Sequence, residues 1–235
     1  MVLSSIGLEH YVRVAGGDLA SITAAFESGA DAVVIDLAPD ADLDDDGRVA
    51  VREAVALFLG GRRGTSPATW VRVNDGDDGL DDIALIVPEA AAVLTGIFVG
   101  DVFDAIDLDA VGRELELAEA ASDREDRPIA VCALLSSASA VLDVREIAEH
   151  ERVGCVGLDE RALAADLGIE WQAEDELWRD PLQPARSVFV LASAAGRCGK
   201  PISWLPALPA RNADRQQWLQ ALGRSGFGGY VAGGS

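Results

Sequence analysis

The chain has 235 residues, 49% of them apolar and 25% charged, enough to build a sizeable core and incompatible with global disorder. Forty acidic residues stand against nineteen basic ones, a formal net charge of −21. Such a surface cannot neutralise a run of phosphates, so no nucleic-acid partner is predicted, nor docking on an anionic membrane.

The elements read in chain order as follows. A first strand over 10–15 ends at Gly16-Gly17, and Asp18 caps a helix that Gly29 stops. Residues 31–37 (DAVVIDL) form an apolar strand of the buried parallel kind. An acidic loop over 40–46 leads to a helix over 49–59. Strand three is 69–73 (TWVRV), followed by a short helix over 80–86, and strand four is 94–99 (LTGIFV). A helix over 104–121 precedes strand five at 129–135 (IAVCALL), and a helix over 139–150 precedes strand six at 153–158 (VGCVGL). A helix near 161–167 opens a longer acidic excursion over 169–184 carrying Trp171 and Trp178. A helix over 185–197, a short strand over 201–204, a helix over 211–225 and a last strand over 229–232 complete the chain.

Eight strands alternating with helices force parallel pairing through right-handed crossovers. At this length they predict a single (β/α)8 TIM-barrel domain over 1–235. No stretch approaches the roughly 18 apolar residues of a membrane-spanning helix, and no basic, apolar leader opens the chain. Cys132, Cys155 and Cys198 are far apart and odd in number, which predicts reduced thiols and a cytoplasmic location.

Active sites of such barrels sit at the C-terminal strand ends. The residues expected there are Asp36, Ala38, Pro39 and Asp40 after strand two, and Arg72 and Asn74 on strand three. Gly100 and Asp101 follow strand four, Ser136 and Ser137 strand five, Asp159 and Glu160 strand six, and Ser203 and Trp204 strand seven. The two-residue strand period turns Arg72 inward. There it either clamps a carboxylate or phosphate, or pairs with Asp36 or Asp101 across the barrel. Asp101, Asp159 and Glu160 offer oxygen ligands for Mg²⁺, although Asp159 can equally cap the next helix. Trp204 is expected to point inward and narrow the mouth, the alternative being that it packs outward under the last helix.

These residues support a family comparison. Segments 28–37 (SGADAVVIDL), 70–74 (WVRVN), 164–168 (AADLG), 185–187 (ARS) and 199–201 (GKP) occur in order and at spacing that resembles the citrate lyase beta-subunit family, which includes malyl-coenzyme A lyases and HpcH/HpaI-type aldolases. The resemblance implies an oligomeric (β/α)8 barrel and Mg²⁺-dependent cleavage or formation of a carbon–carbon bond beside a carbonyl. Its implied ligands are a small carboxylate or an acyl-coenzyme A.

The departures concern the site. The family's metal-binding glutamate after strand five falls at Ser136, and its metal-binding aspartate after strand six at Ala162, with Arg161 before it. The family's L-E-D-A pattern reads Leu37-Ala38-Pro39-Asp40-Ala41, its strand-four lysine falls near Asp101, and an acid of strand seven falls near Ser203-Trp204. The expectation is a degenerate homologue with no resident cofactor. Arg72 and Asp36 are its candidate reacting groups, and Arg72, Asn74, Asp101, Ser136 and Trp204 its ligand contacts. The alternative is an active carbon–carbon lyase that holds Mg²⁺ at a relocated site built on Asp159 and Glu160.

Overall fold

The computed structural model describes residues 8–38, 43–64, 66–122, 128–169, 181–205, 208–209 and 211–233. Eight parallel strands close in sequence order into a barrel. They are β1 (Glu9–Ala15), β2 (Ala32–Asp36), β3 (Ala68–Arg72), β4 (Leu94–Val99), β5 (Ala130–Leu135), β6 (Val153–Asp159), β7 (Ile202–Trp204) and β8 (Gly229–Gly233). The helices are α1 (Leu19–Glu27), α2 (Asp45–Gly60), α3 (Gly76–Glu89), α4 (Asp107–Ala121), α5 (Ala138–Glu149), α6 (Glu160–Asp166), α7 (Gln183–Gly196) and α8 (Asn212–Arg224). The predicted (β/α)8 barrel is therefore present; among the described residues two helices, α6 and α7, lie between β6 and β7.

Local chemistry sets the helix starts. Asp18 accepts a hydrogen bond from the Ser21 N–H, and Asp159 accepts one from the Ala162 N–H, each satisfying an orphan donor of a first turn. Two expected boundaries move. Helix α3 starts at Gly76 rather than 80 and runs on to Glu89. Helix α4 starts at Asp107 rather than 104, because the Asp104 carboxylate accepts from the Ile106 and Asp107 N–H groups and holds that turn outside the helix. The tryptophans at 171 and 178, and Pro39 and Asp40, lie outside the described residues.

The outward face of the strands packs under the helices; Val33, Ile35, Val71 and Ile97 meet Ile22, Val55, Ile83 and Leu115 in one apolar layer. The inward face forms a second, separate core. Four rings run through it: Trp70 lies 6.1 Å from Tyr11 and 5.2 Å from Phe98, and Phe98 lies 5.3 Å from Trp204, centroid to centroid. Small residues on neighbouring strands make room for them. A Cβ on Gly96 would fall 2.3 Å from the Trp70 ring and 2.6 Å from the Ala130 carbonyl oxygen. Gly96→Ala is accordingly expected to destabilise the fold by about 1–3 kcal/mol through overpacking, read as a lower midpoint in urea unfolding.

Candidate functional site at the barrel mouth

The upper end of the barrel interior is charged. Arg13 of β1, Asp36 of β2, Arg72 of β3 and Asp159 of β6 face it from four strands. Asp36 is 1% exposed, yet its carboxylate is only loosely held by its two cationic neighbours. Arg72 Nη1 donates to Oδ1 at 3.4 Å, and Arg13 Nη1 lies 3.7 Å from Oδ2. Oδ1 also accepts the Ala38 N–H, at 3.1 Å, whereas Oδ2 accepts no hydrogen bond among the described residues. Both guanidinium groups lie over the Trp204 indole, with Cζ 5.2 Å (Arg13) and 5.6 Å (Arg72) from its centroid. Trp204 itself is buried against Phe98. It thus points inward and closes the space beneath the arginines.

Burial pushes the Asp36 carboxyl above the ordinary carboxylate value, while Arg72 and Arg13 pull it back. Asp159 is raised for the same reason, against its capping bond to Ala162 and the pull of Arg72. Asp75, just after β3, is raised by burial and by the like charge of Asp101. Asp75 and Arg72 converge beside Gly100, where a Cβ would come 2.7 Å from the Asp75 Oδ1 and 3.4 Å from the Arg72 Nη2. Asp101 takes a left-handed backbone, φ 49°, and stands with Asp75 at the rim of a cavity of about 220 Å³ floored by Val73, Leu80, Val99 and Val111.

Other sequence candidates sit differently. Glu160 does not join Asp159 at the mouth: it is wholly buried, takes Nε and Nη2 of Arg186 at 2.9 and 2.5 Å, and accepts the Ser203 hydroxyl at 2.6 Å. This corrects the expected Asp159–Glu160 ligand pair: successive residues at a strand end face opposite sides, and Glu160 faces the helices. The Asn74 amide is engaged by α3: Asp82 accepts its N–H and Nδ2–H at 2.8 and 2.9 Å, and Arg52 Nε donates to the same buried carboxylate. Ser136 directly follows β5, two residues beyond the inward Leu134, and Ala162 lies in the first turn of α6. Among the described residues, no group of three or more His, Cys, Asp or Glu is placed to hold a metal ion. Arg62 and Arg63 follow α2 at the opposite end of the barrel, where Arg62 stacks 3.6 Å from the Phe26 ring.

Arg13 escapes the sequence reading. Its signal is local: Tyr11-Val12-Arg13-Val14 repeats the aromatic-Val-Arg-Val order of Trp70-Val71-Arg72-Val73. The two-residue period then sets an aromatic ring low and an arginine high on the inner face of both strands.

The chain is a closed (β/α)8 barrel with ionisable groups gathered at the C-terminal strand ends, the end at which barrels of this architecture carry their active sites. The sequence profile of the HpcH/HpaI aldolase/citrate lyase family matches residues 11–199, and the chain belongs to that family. No curated protein sequence matches it. Among solved structures, it superposes on RipC from Yersinia pestis with a TM-score of 0.70 at 17% identity, covering 97% of this chain and 90% of that one. It superposes on the citrate lyase beta subunit from Mycobacterium tuberculosis, complexed with oxaloacetate and magnesium, with a TM-score of 0.69 at 19% identity, covering 98% and 94%. The CitE protein of the same organism, in complex with magnesium, acetoacetate and coenzyme A, gives 0.68 at 20% identity, covering 97% and 76%. At these identities the likeness is one of fold. Among the described residues, no helix is long and apolar enough to cross a membrane.

Proposed function

We propose that this barrel binds a small carboxylate at its mouth and does not perform the Mg²⁺-dependent carbon–carbon lyase reaction that the family resemblance implies. The observation that carries this reading is the fate of the acids around β5 and β6. Ser136 and Ala162 occupy the positions where the resemblance places two anionic metal ligands. Acids around them are engaged otherwise: Glu160 is clamped by Arg186 and Ser203, Asp159 caps α6, and Asp166 accepts the Ala138 N–H at the start of α5. Mg²⁺ dehydrates reluctantly and is bound through carboxylates, so a serine hydroxyl and a methyl group do not fit it. Arg161 beside Ala162 adds repulsion.

The mouth keeps what an anion needs. Arg72 points inward with donors to spare, and Trp204 gives it a flat support. Millimolar Mg²⁺ is expected to leave the melting temperature unchanged, because a ligand stabilises only in proportion to its occupancy of the native state. A saturable rise would overturn the reading and return the chain to the metal-dependent lyases, with a relocated site.

A further inference from the structure

Two sets of arginines stand in contrast. Those that tie the outer wall together are tightly bonded: Arg186 to Glu160 at 2.5 and 2.9 Å, Arg52 to Asp82 at 2.5 Å, Arg152 to Glu119 at 2.8 and 3.2 Å. Each meets a carboxylate at normal charge-assisted distance. The two at the mouth are not. Among the described residues, the one carboxylate within ion-pair distance of Arg13 and Arg72 is that of Asp36, at 3.7 and 3.4 Å, with Asp75 and Asp159 further off, and Arg72 Nε is buried with no hydrogen-bond partner. Between them the two guanidinium groups carry ten N–H donors by their chemistry, and only one of these makes a hydrogen bond, at 3.4 Å, among the described residues. They are not loose side chains. Both lie over Trp204, and their side chains are 29% and 20% exposed, so they are held in place while open to the mouth. Held cations with unspent donors, reachable from solvent, are what an anion seat requires.

Resting on the reading above, we propose that Arg13 and Arg72 together form a fixed two-guanidinium seat for the carboxylate ligand, Arg13 supplying at the mouth the positive charge that a metal ion would otherwise bring. A guanidinium needs no acidic ligands to hold it, which fits a mouth whose metal-binding positions read Ser136 and Ala162. The incoming carboxylate displaces the long contacts to Asp36 and takes short ones, one oxygen to each arginine or both to one fork. The seat then works in chelator and is indifferent to Mg²⁺.

Calorimetric titration of oxaloacetate into EDTA-treated protein at low ionic strength tests this. Saturable binding is expected, unchanged by added Mg²⁺ and weakened by salt. Arg13→Ala should weaken it about tenfold or more, and Arg13→Lys, which keeps the charge and loses the fork, by less. Melting curves identify a variant that fails to fold, and the lysine variant then decides: binding equal to wild type in a folded Arg13→Lys and an unchanged salt dependence would overturn the role of Arg13. Loss of binding in Arg72→Ala with none in Arg13→Ala would also overturn it, and leave the small-carboxylate reading standing. Binding that appears only with Mg²⁺, or no binding in any condition, would overturn both.

Discussion

Glu160→Ala is expected to be among the most damaging single substitutions in this protein, lowering stability by about 3–5 kcal/mol. Glu160 and Arg186 are buried, with side-chain exposures of 0% and 2%, and joined at two points. The Ser203 hydroxyl donates to the same carboxylate, so one acid links the β6 end, helix α7 and strand β7. Removing it takes from the buried Arg186 guanidinium, which lies over the Trp218 ring, a carboxylate that meets it at two points, and the cost is that of weakened charge compensation in a buried site as well as of the lost bonds. Guanidinium chloride unfolding followed by circular dichroism measures it. A loss below about 1 kcal/mol would mean that water reaches Arg186, and that the clip is no more than a surface pair. Replacing both partners with apolar residues is expected to recover much of the loss.

Asp36→Asn is expected to act in the opposite sense on ligand binding, tightening oxaloacetate by several-fold, with about tenfold as the upper end for a difference near 1.4 kcal/mol. The wild-type carboxylate is the internal competitor for Arg13 and Arg72; the amide keeps its shape and removes its charge. The same logic fixes a pH dependence. Because burial raises the Asp36 carboxyl, it takes up a proton in the folded protein at a pH where an unfolded aspartate is still ionised. As pH falls through that raised value, the competitor is neutralised and affinity rises. Asp75, Asp101 and Asp159 also face the mouth charges, and burial raises Asp75 and Asp159, so part of the rise persists in the variant. The Asp36 share must vanish. Folding stability follows the same sign: the native state binds the Asp36 proton more readily than the unfolded one, so this group favours folding at low pH and loses that advantage as pH rises through its raised value. Weaker binding in Asp36→Asn would show that Asp36 positions the arginines rather than competing for them.

The barrel was legible because its signals are repeated and local. Strand β2 is buried at all five positions and reads as an unbroken apolar run, as a parallel strand covered on both faces must. The inward turn of Arg72 and Trp204 follows from a two-residue period that short strands keep. The polar clips were not legible, because their partners are distant in sequence. Nothing local joins Glu160 to Arg186, 26 residues on, or Asp82 to Arg52, 30 residues before. Two segments that carried the family resemblance prove structural here: the arginine of 185–187 is the Glu160 partner, and Asp166 within 164–168 accepts the Ala138 N–H that begins α5. In this chain those motifs assemble the wall and do not reach the mouth.

The column of rings inside the barrel has a consequence for how this interior can vary. Trp70 fills the space that Gly96 leaves, Tyr11 leans on Gly229, and Phe98 touches Tyr11, Trp70 and Trp204. Volume on one strand is therefore matched by a deficit on the next, and neither position is free to change alone. Gly96→Ala combined with Trp70→Leu should cost less than the sum of the two single changes, since the methyl group then enters space the indole has vacated. Among homologous barrels, bulk at these two positions should covary inversely, a size-complementarity signature readable from sequences alone. The last ring of the column also carries the two arginines, so Gly96→Ala, far from the mouth, is expected to alter oxaloacetate affinity through the contacts of Trp70, Phe98 and Trp204, read in the same calorimetric titration.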